Sequence, residues 1–337
     1  MIPRVTIGIP VYKRLDYLPQ ALAAVSAQDY SEIECVVSDN GMNGTKVSDL
    51  VTRHYTRPCR FRQNAKTVIV SQHFNQIVHE ATGKYFILLQ DDDDLTPNFV
   101  SELVGLLERY PSAIVAISRQ VEVDSAGHIL CSSAETVPEV LSGEDFVKAW
   151  CRYSYKFVAF PTILFRTDSV KVCGGYPSFL TGNGIDDALL LKLCLGRSVA
   201  FSTRCTFRKR TYETSMGFSC NYRSLVQGST QFLRFLDSDP VLLRYGQSHR
   251  EQYHEAKQLI VKMLWETCFH RWNGMYRDRL SPFEWVRSAF AMPYIPDYYA
   301  AVTSTLLRVL KAAAFDRVKR RFPWAHRIYR SLKPGTR

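Results

Sequence analysis

The sequence predicts an α/β fold, a doubly wound and mostly parallel sheet flanked by helices and followed by a helical C-terminal region. Three observations carry this expectation. Over residues 1–120, short apolar runs alternate with amphipathic stretches, which is the rhythm of βαβ units. From Val121 the rhythm gives way to a hairpin and to elements that complete the same domain. Beyond Ser219 the pattern is helical nearly to the end.

The elements follow in order. Strands are expected at 5–10, 34–38, 68–70, 85–89 and 113–118, because each is a short apolar run bounded by polar or turn-forming residues. Helices are expected between them at 16–28, 46–55, 71–80 and 97–110, several opened by residues that cap or begin helices well. Val121-Glu122-Val123-Asp124 and His128-Ile129-Leu130 flank Ser-Ala-Gly, so a hairpin is expected there. Helices at 143–153 and 185–195 and strands at 162–165 and 199–201 finish a domain spanning 1–218. The helical region 219–337 is broken at Asp239-Pro240, Ser281-Pro282 and Met292-Pro293. Its tail, 306–333, interleaves Leu, Val, Phe and Trp with arginines and lysines such as Arg308, Lys311 and Arg320. Such a segment suits an anionic membrane surface, or else packs back on the domain with its charges solvated.

Composition narrows the class without choosing a function. The 337 residues are 46% hydrophobic and 22% charged, an ordinary globular balance. A formal charge of +11 suits an acidic partner, whether a nucleic acid, an anionic membrane or a phosphate-bearing substrate. The nine cysteines form no Cys-x-x-Cys pair and several lie in apolar runs, so they read as buried free thiols in a reducing compartment. With a strand starting at Val5 and no long apolar span, neither a signal peptide nor a transmembrane helix is expected, and the expected location is the cytoplasm.

The strongest chemical signal is Tyr85-Phe86-Ile87-Leu88-Leu89-Gln90-Asp91-Asp92-Asp93-Asp94, a buried-strand pattern that ends in four carboxylates. Ligands of open α/β sheets bind outside the carboxyl ends of the strands, and carboxylate oxygens with substrate phosphates suit Mg²⁺ or Mn²⁺. Position after a buried strand favours this over a solvated acidic turn. A second strand ends at Asp39, whose carboxylate suits a nucleobase or ribose, and the first ends in Pro10-Val11-Tyr12-Lys13-Arg14, where Tyr12 could stack on a base and Arg14 approach phosphate. Asp186-Asp187 open an apolar helix, where a carboxylate serves either as helix-terminal charge or as a general base. The basic patch 204–210, with Arg208-Lys209-Arg210, is either a solvated face or an offset for leaving-group charge.

Together these pieces resemble the family 2 glycosyltransferases of the GT-A fold, over residues 3–215. The opening strand with its nucleotide loop, the helix ending Gln28-Asp29-Tyr30, Val36 to Asn40, and Asn75 with Ala81-Thr82-Gly83-Lys84-Tyr85 each look like a family segment. The resemblance implies an inverting transfer from a nucleotide-diphosphate sugar, weakly favouring UDP, to a saccharide or lipid-linked saccharide hydroxyl, as in bacterial surface polysaccharide synthesis. It divides the domain into a donor half, 1–120, and an acceptor half, 121–218. It implies Asp187 as catalytic base supported by Asp186, and Asp92 and Asp93 as metal ligands. Donor contacts would come from Pro10, Tyr12, Arg14, Asp39, Asn75, Asp91 and Arg210. Shifting the register by one residue reassigns roles within 91–93. The family's Asp-Gly-Ser-x-Asp is here Asn40-Gly41-Met42-Asn43-Gly44, and the Gln-x-x-Arg-Trp of processive synthases is absent, so one sugar per encounter is expected. Rival readings are a nucleotidyltransferase, which would bring a Gly-rich phosphate loop near its N-terminus, and a noncatalytic nucleotide-sugar or nucleic-acid-binding protein, though no nucleic acid is expected.

Overall fold

Val5–Val11 is buried along its whole length, so it can serve only as an interior strand. In the computed structural model, which describes residues 1–157, 160, 162–213, 215, 222–274 and positions 307, 310, 311 and 314, this strand, β1, lies between β2 (Ile33–Asp39) and β4 (Tyr85–Leu88), parallel to both. The edge strand β3 (Cys59–Gln63) continues the parallel set beside β2. Helices α1 (Leu18–Ser26), α2 (Lys46–His54), α3 (Val70–Glu80) and α4 (Phe99–Arg109) alternate with these strands.

The chain then adds β5 (Asp94–Leu95), β6 (Ala113–Val123), β7 (Ile129–Ser132), β8 (Val140–Ser142), α5 (Gly143–Cys151), β9 (Leu164–Arg166), α6 (Thr167–Val172), α7 (Ile185–Cys194) and β10 (Ser198–Arg210). Ten strands form one sheet in the order β3-β2-β1-β4-β9-β6-β10-β5, with β7 on β6 and β8 on β10. The first half is parallel. In the second, β9 runs antiparallel between β4 and β6, and β10 runs parallel to β6 but antiparallel to β5 and β8.

Alternate residues of the central strands enter two cores. Tyr85, Ile87 and Leu89 join Leu18, Leu22, Phe99 and Leu103 on the face covered by α1 and α4. Phe86 and Leu88 join Phe74 and Ile77 of α3 and Leu189 and Leu193 of α7 on the other. That second core also takes Phe232 and Leu236 of α8 (Tyr222–Ser238), Leu242 of α9 (Pro240–Ser248) and Ile260 and Trp265 of α10 (Arg250–Gly274), so the C-terminal helices pack on the sheet domain.

Most expected elements appear near their expected bounds, and the departures have local causes. Residues 68–70 are not a strand: Val68 donates its N–H to Asn40 Oδ1 at 2.9 Å and its carbonyl accepts from Asn40 Nδ2 at 2.9 Å. A buried side chain thereby takes the two backbone groups a neighbouring strand would need, and Val70 instead begins α3. The parallel edge strand is the polar Cys59–Gln63, and β10 runs far beyond 199–201. The break at Asp239-Pro240 is observed, with Asp239 capping α9 through the N–H groups of Val241 and Leu242. The expected boundary at 218, the breaks at Pro282 and Pro293, Cys220 and most of the tail lie outside the described residues. Among the described residues no helix is long and apolar enough to cross a membrane.

Gly8, in the middle of β1, lets α3 approach the sheet, because a Cβ there would overlap Ile77 Cγ2. Gly8→Ala is expected to destabilise the fold by about 1–3 kcal/mol through overpacking. Ile77→Leu, which has no branch at Cβ and so lacks the overlapping Cγ2, should recover part of that loss in the double variant. Chemical denaturation of the three variants checks both outcomes.

Candidate active site

The carboxyl ends of β1, β2 and β4 lie side by side, since Val11 pairs with Asp39 and Leu89 donates its N–H to the Gly8 carbonyl. Each strand tip delivers one expected site segment. Pro10 is buried in β1 opposite Ser38. Tyr12 follows, 44% exposed, with Lys13 Nζ 5.4 Å from its ring centroid. Arg14 is half-buried with its guanidinium 4.8 Å from the Tyr212 ring.

Asp39 is fully buried, and its carboxylate accepts from Gly41 N–H at 2.7 Å, Asn43 N–H at 3.0 Å, Asn43 Nδ2 at 2.8 Å and Gln63 Nε2 at 2.7 Å. It shapes residues 40–44 into a turn that closes against Tyr12, whose carbonyl accepts from Asn43 Nδ2. Asn40 braces the next loop through Val68 and Asn64. Both side chains are therefore engaged in building the wall of the site.

The four aspartates after β4 have four different surroundings. Asp91 and Asp92 are half-buried. Burial, the neighbouring Asp92 charge and too little compensation from the Tyr12 N–H and Arg14 push Asp91 up to about 8. Asp92 accepts from the Tyr212 hydroxyl at 2.7 Å. Asp93 is 3% exposed and accepts the Arg210 N–H at 2.9 Å; burial first, then Asp92, raise its carboxyl well above the usual range. Asp94 is paired with Arg208 at 2.8 Å. The expectation that Asp93 faces a metal therefore meets a difficulty, because its carboxylate is sunk against β10. Asp91 and Asp92 remain as the half-buried pair, since Asp94 is engaged by Arg208.

These two carboxylates fit a hard divalent cation. They offer oxygen alone and stand on adjacent residues, and a bound cation would offset the burial and crowding that raise the Asp91 carboxyl. No three His, Cys, Asp or Glu side chains among the described residues form a cage. An ion here would thus complete its shell with substrate phosphates and water, as Mg²⁺ and Mn²⁺ do.

Arg210 is tied rather than free: its Nε donates to the Asp92 carbonyl at 3.2 Å, Nη2 to Gln20 at 2.8 Å and Nη1 to the Asp124 and Ser125 carbonyls at 3.3 Å. Its guanidinium also stacks on Tyr17 at 4.5 Å. Asn75 likewise makes a two-point clamp, donating to the Tyr176 carbonyl and accepting the Tyr176 N–H, both at 2.8 Å. It anchors the segment that leads to Asp186 and Asp187.

That segment turns at Gly184, which caps α7 with φ of 77°, a conformation that glycine adopts without strain. Thr162 donates to the Leu88 carbonyl at 3.1 Å, and Gly182 packs against Val70 at the start of α3, so α7 begins at the carboxyl edge of the sheet. The helix behind it is buried from Ala188 through Cys194, which fixes the two aspartates at its tip. Asp186 Oδ1 is buried without a hydrogen-bond partner. Burial, with Asp187 beside it, pushes Asp186 up to about 8, and burial alone pushes Asp187 up to about 6. Desolvation outweighs the attraction of the helix N-terminus.

Tyr212, Tyr17, Gln63 and Asn43 also shape this site. Their signal in the sequence was faint, since each sits in a loop or edge strand and gains meaning only from a partner far along the chain.

The "Glycosyl transferase family 2" model matches residues 6–171, a span that holds the strand-tip aspartates and ends before Asp186. An uncharacterised glycosyltransferase of Rickettsia bellii is 29% identical over 107 residues, 32% of this chain and 15% of its own length. One of Rickettsia typhi is 27% identical over 130 residues, 38% of this chain and 40% of its own. The alignments thus span less than half of these curated relatives. Residues 1–349 of Staphylococcus aureus TarS, crystallised with UDP-GlcNAc, superpose with a TM-score of 0.64 at 14% identity, covering 86% of this chain and 82% of that one. The shared architecture is the GT-A fold.

The raised carboxyl of Asp186 makes a stability prediction. The folded state holds a proton that the unfolded chain gives up above the ordinary 3.8, so this stabilisation is complete at low pH and lost as pH rises through about 8. Asp186→Asn is neutral at every pH. It should therefore melt a few degrees above wild type at pH 8.5, with the difference shrinking towards pH 4, as read by thermal denaturation at both.

Proposed function

The chain carries a family 2 glycosyltransferase domain, and from that premise we propose that it transfers a sugar from a nucleotide-diphosphate donor to a hydroxyl of a saccharide acceptor, with inversion at the anomeric carbon. The observation that carries this reading is the presence of two crowded carboxylate pairs, Asp91 with Asp92 and Asp186 with Asp187, at the carboxyl edge of one sheet. The first pair suits a metal-bound diphosphate. The second suits proton abstraction.

Tyr12 and the turn shaped by Asp39 form the nucleoside side, with Pro10 setting the course of the strand beneath them. Arg14 brings positive charge towards the diphosphate, and Arg210 adds charge from its fixed position beside Asp92. Asp91 and Asp92 would hold a divalent ion, which when bound would neutralise charge on the departing diphosphate. Asp187 takes the proton of the acceptor hydroxyl as that oxygen bonds to the anomeric carbon. The bond from carbon to diphosphate breaks with its electron pair leaving on the nucleoside diphosphate. One displacement inverts the centre and needs no enzyme nucleophile.

Asp187, pushed up to about 6, is largely ionised at neutral pH yet basic enough to accept a proton, whereas Asp186, at about 8, holds one. Asp186 therefore supports its neighbour. UDP-GlcNAc bound to TarS supports a nucleotide-sugar donor and puts UDP-sugars first in any panel. The acceptor is proposed to be a lipid-linked saccharide of a surface polysaccharide, met at the cytoplasmic face of a membrane.

The direct test is release of nucleoside diphosphate from UDP-, GDP-, CDP- and dTDP-sugars with Mn²⁺ or Mg²⁺, using a mixed lipid-linked acceptor extract. One donor should respond, and both EDTA and Asp92→Ala should abolish release. Binding of none of the four nucleotides would overturn the reading. In the responding assay, kcat/KM should fall tenfold per unit below about pH 6, because protonation removes the base. Asp187→Asn should lower the rate by about 10²–10⁴-fold.

A further inference from the structure

The end of β10 meets the acidic run in reverse order. Arg208 pairs with Asp94, the Arg210 N–H meets Asp93, and the Tyr212 hydroxyl meets Asp92. The first of these contacts continues the antiparallel ladder in which Arg208 stands opposite Asp94. Residues 208, 210 and 212 share one strand face by the period of two, although Tyr212 lies just past the strand. Asp91 is left to the β1–α1 loop, through the Tyr12 N–H and Arg14.

Tyr212 has two ring contacts. The Arg14 guanidinium lies 4.8 Å from its ring centroid, and the Tyr17 ring lies 5.2 Å away, tilted by 54°. Tyr17 carries the Arg210 guanidinium in turn, 4.5 Å from its centroid. This alternation of cations and aromatic faces joins the β1–α1 loop to the end of β10.

We infer that Tyr212 is a positioning residue that fixes the Asp92 carboxylate for the divalent cation by occupying one of its oxygens with a phenol whose ring contacts both Arg14 and Tyr17. The inference rests on the reading of Asp92 as a carboxylate that holds the metal. A carboxylate pinned at one oxygen loses little rotational freedom on binding an ion, whereas an unpinned one must be ordered by the ion itself. Supporting hydrogen bonds of this kind are worth about 10–100-fold in metal affinity.

The test is Mn²⁺ titration of the full chain, followed by electron paramagnetic resonance, with and without UDP, for wild type, Tyr212→Phe, Tyr212→His and Asp92→Ala. Tyr212→Phe keeps the stack and removes only the hydroxyl. It should weaken Mn²⁺ binding about tenfold, leave metal-free UDP binding at wild-type strength, and regain kcat at raised Mn²⁺. Tyr212→His, which keeps a donor, should recover part of the affinity. Wild-type Mn²⁺ affinity in Tyr212→Phe, alongside its loss in Asp92→Ala, would overturn the positioning role and leave the metal reading standing. Unchanged affinity in Asp92→Ala would overturn the metal reading and this inference with it.

Discussion

Negative charge at the carboxyl end of β4 has to be balanced in a place where solvent reaches only part of it, and the neighbouring elements are arranged around that constraint. A run of four carboxylates cannot be left unpartnered at the rim of a buried sheet without large desolvation and repulsion costs. The chain divides the problem. Asp94 is neutralised by Arg208, Asp93 is satisfied by a backbone N–H of β10, and Asp92 is held by a phenol. Asp91 is left to the Tyr12 N–H and Arg14, which do not offset burial and the adjacent Asp92 charge, so its carboxyl is pushed up to about 8. A bound cation would offset both.

The same constraint explains the reach of β10. A strand that ended near Phe201 would complete the core, but the observed strand continues to Arg210, where its side chains and amides meet the acidic run. Between these points Cys205 and Phe207 are buried while Arg204 and Arg208 are exposed. The strand is thus a core element on one face and an electrostatic support on the other.

The second carboxylate pair is secured by packing. Leu189 to Leu193 sink α7 into the core, Asn75 clamps the approach through Tyr176, and Gly184 turns the chain so that Asp186 and Asp187 stand at the tip. The two pairs therefore belong to different mechanical systems, one held by polar contacts to β10 and one by apolar contacts to the helical side. The C-terminal helices strengthen the second, since Phe232, Leu236 and Ile260 share its core.

The layered α/β class, the central strands, most helices and the placement of Asp91 to Asp94 and Asp186-Asp187 at element ends are all legible in the sequence alone. These are local properties: an apolar run of strand length, a helical period, and charges at its boundary are all read within a dozen residues. The strand expected at 68–70 and the observed edge strand Cys59–Gln63 are where the local pattern fails, because a half-solvated edge strand carries charge while an apolar triplet at a helix entrance does not announce its partners. What each polar side chain does emerges only once the fold is assembled. Asp39, Asn75 and Arg210 read as ligand contacts when taken alone, yet their partners Gln63, Tyr176 and Gln20 lie 24, 101 and 190 residues away and engage them within the protein. A hydrogen-bonding group carries no mark of its partner in its own neighbourhood, so the division between wall and open site is fixed only when the distant segments meet.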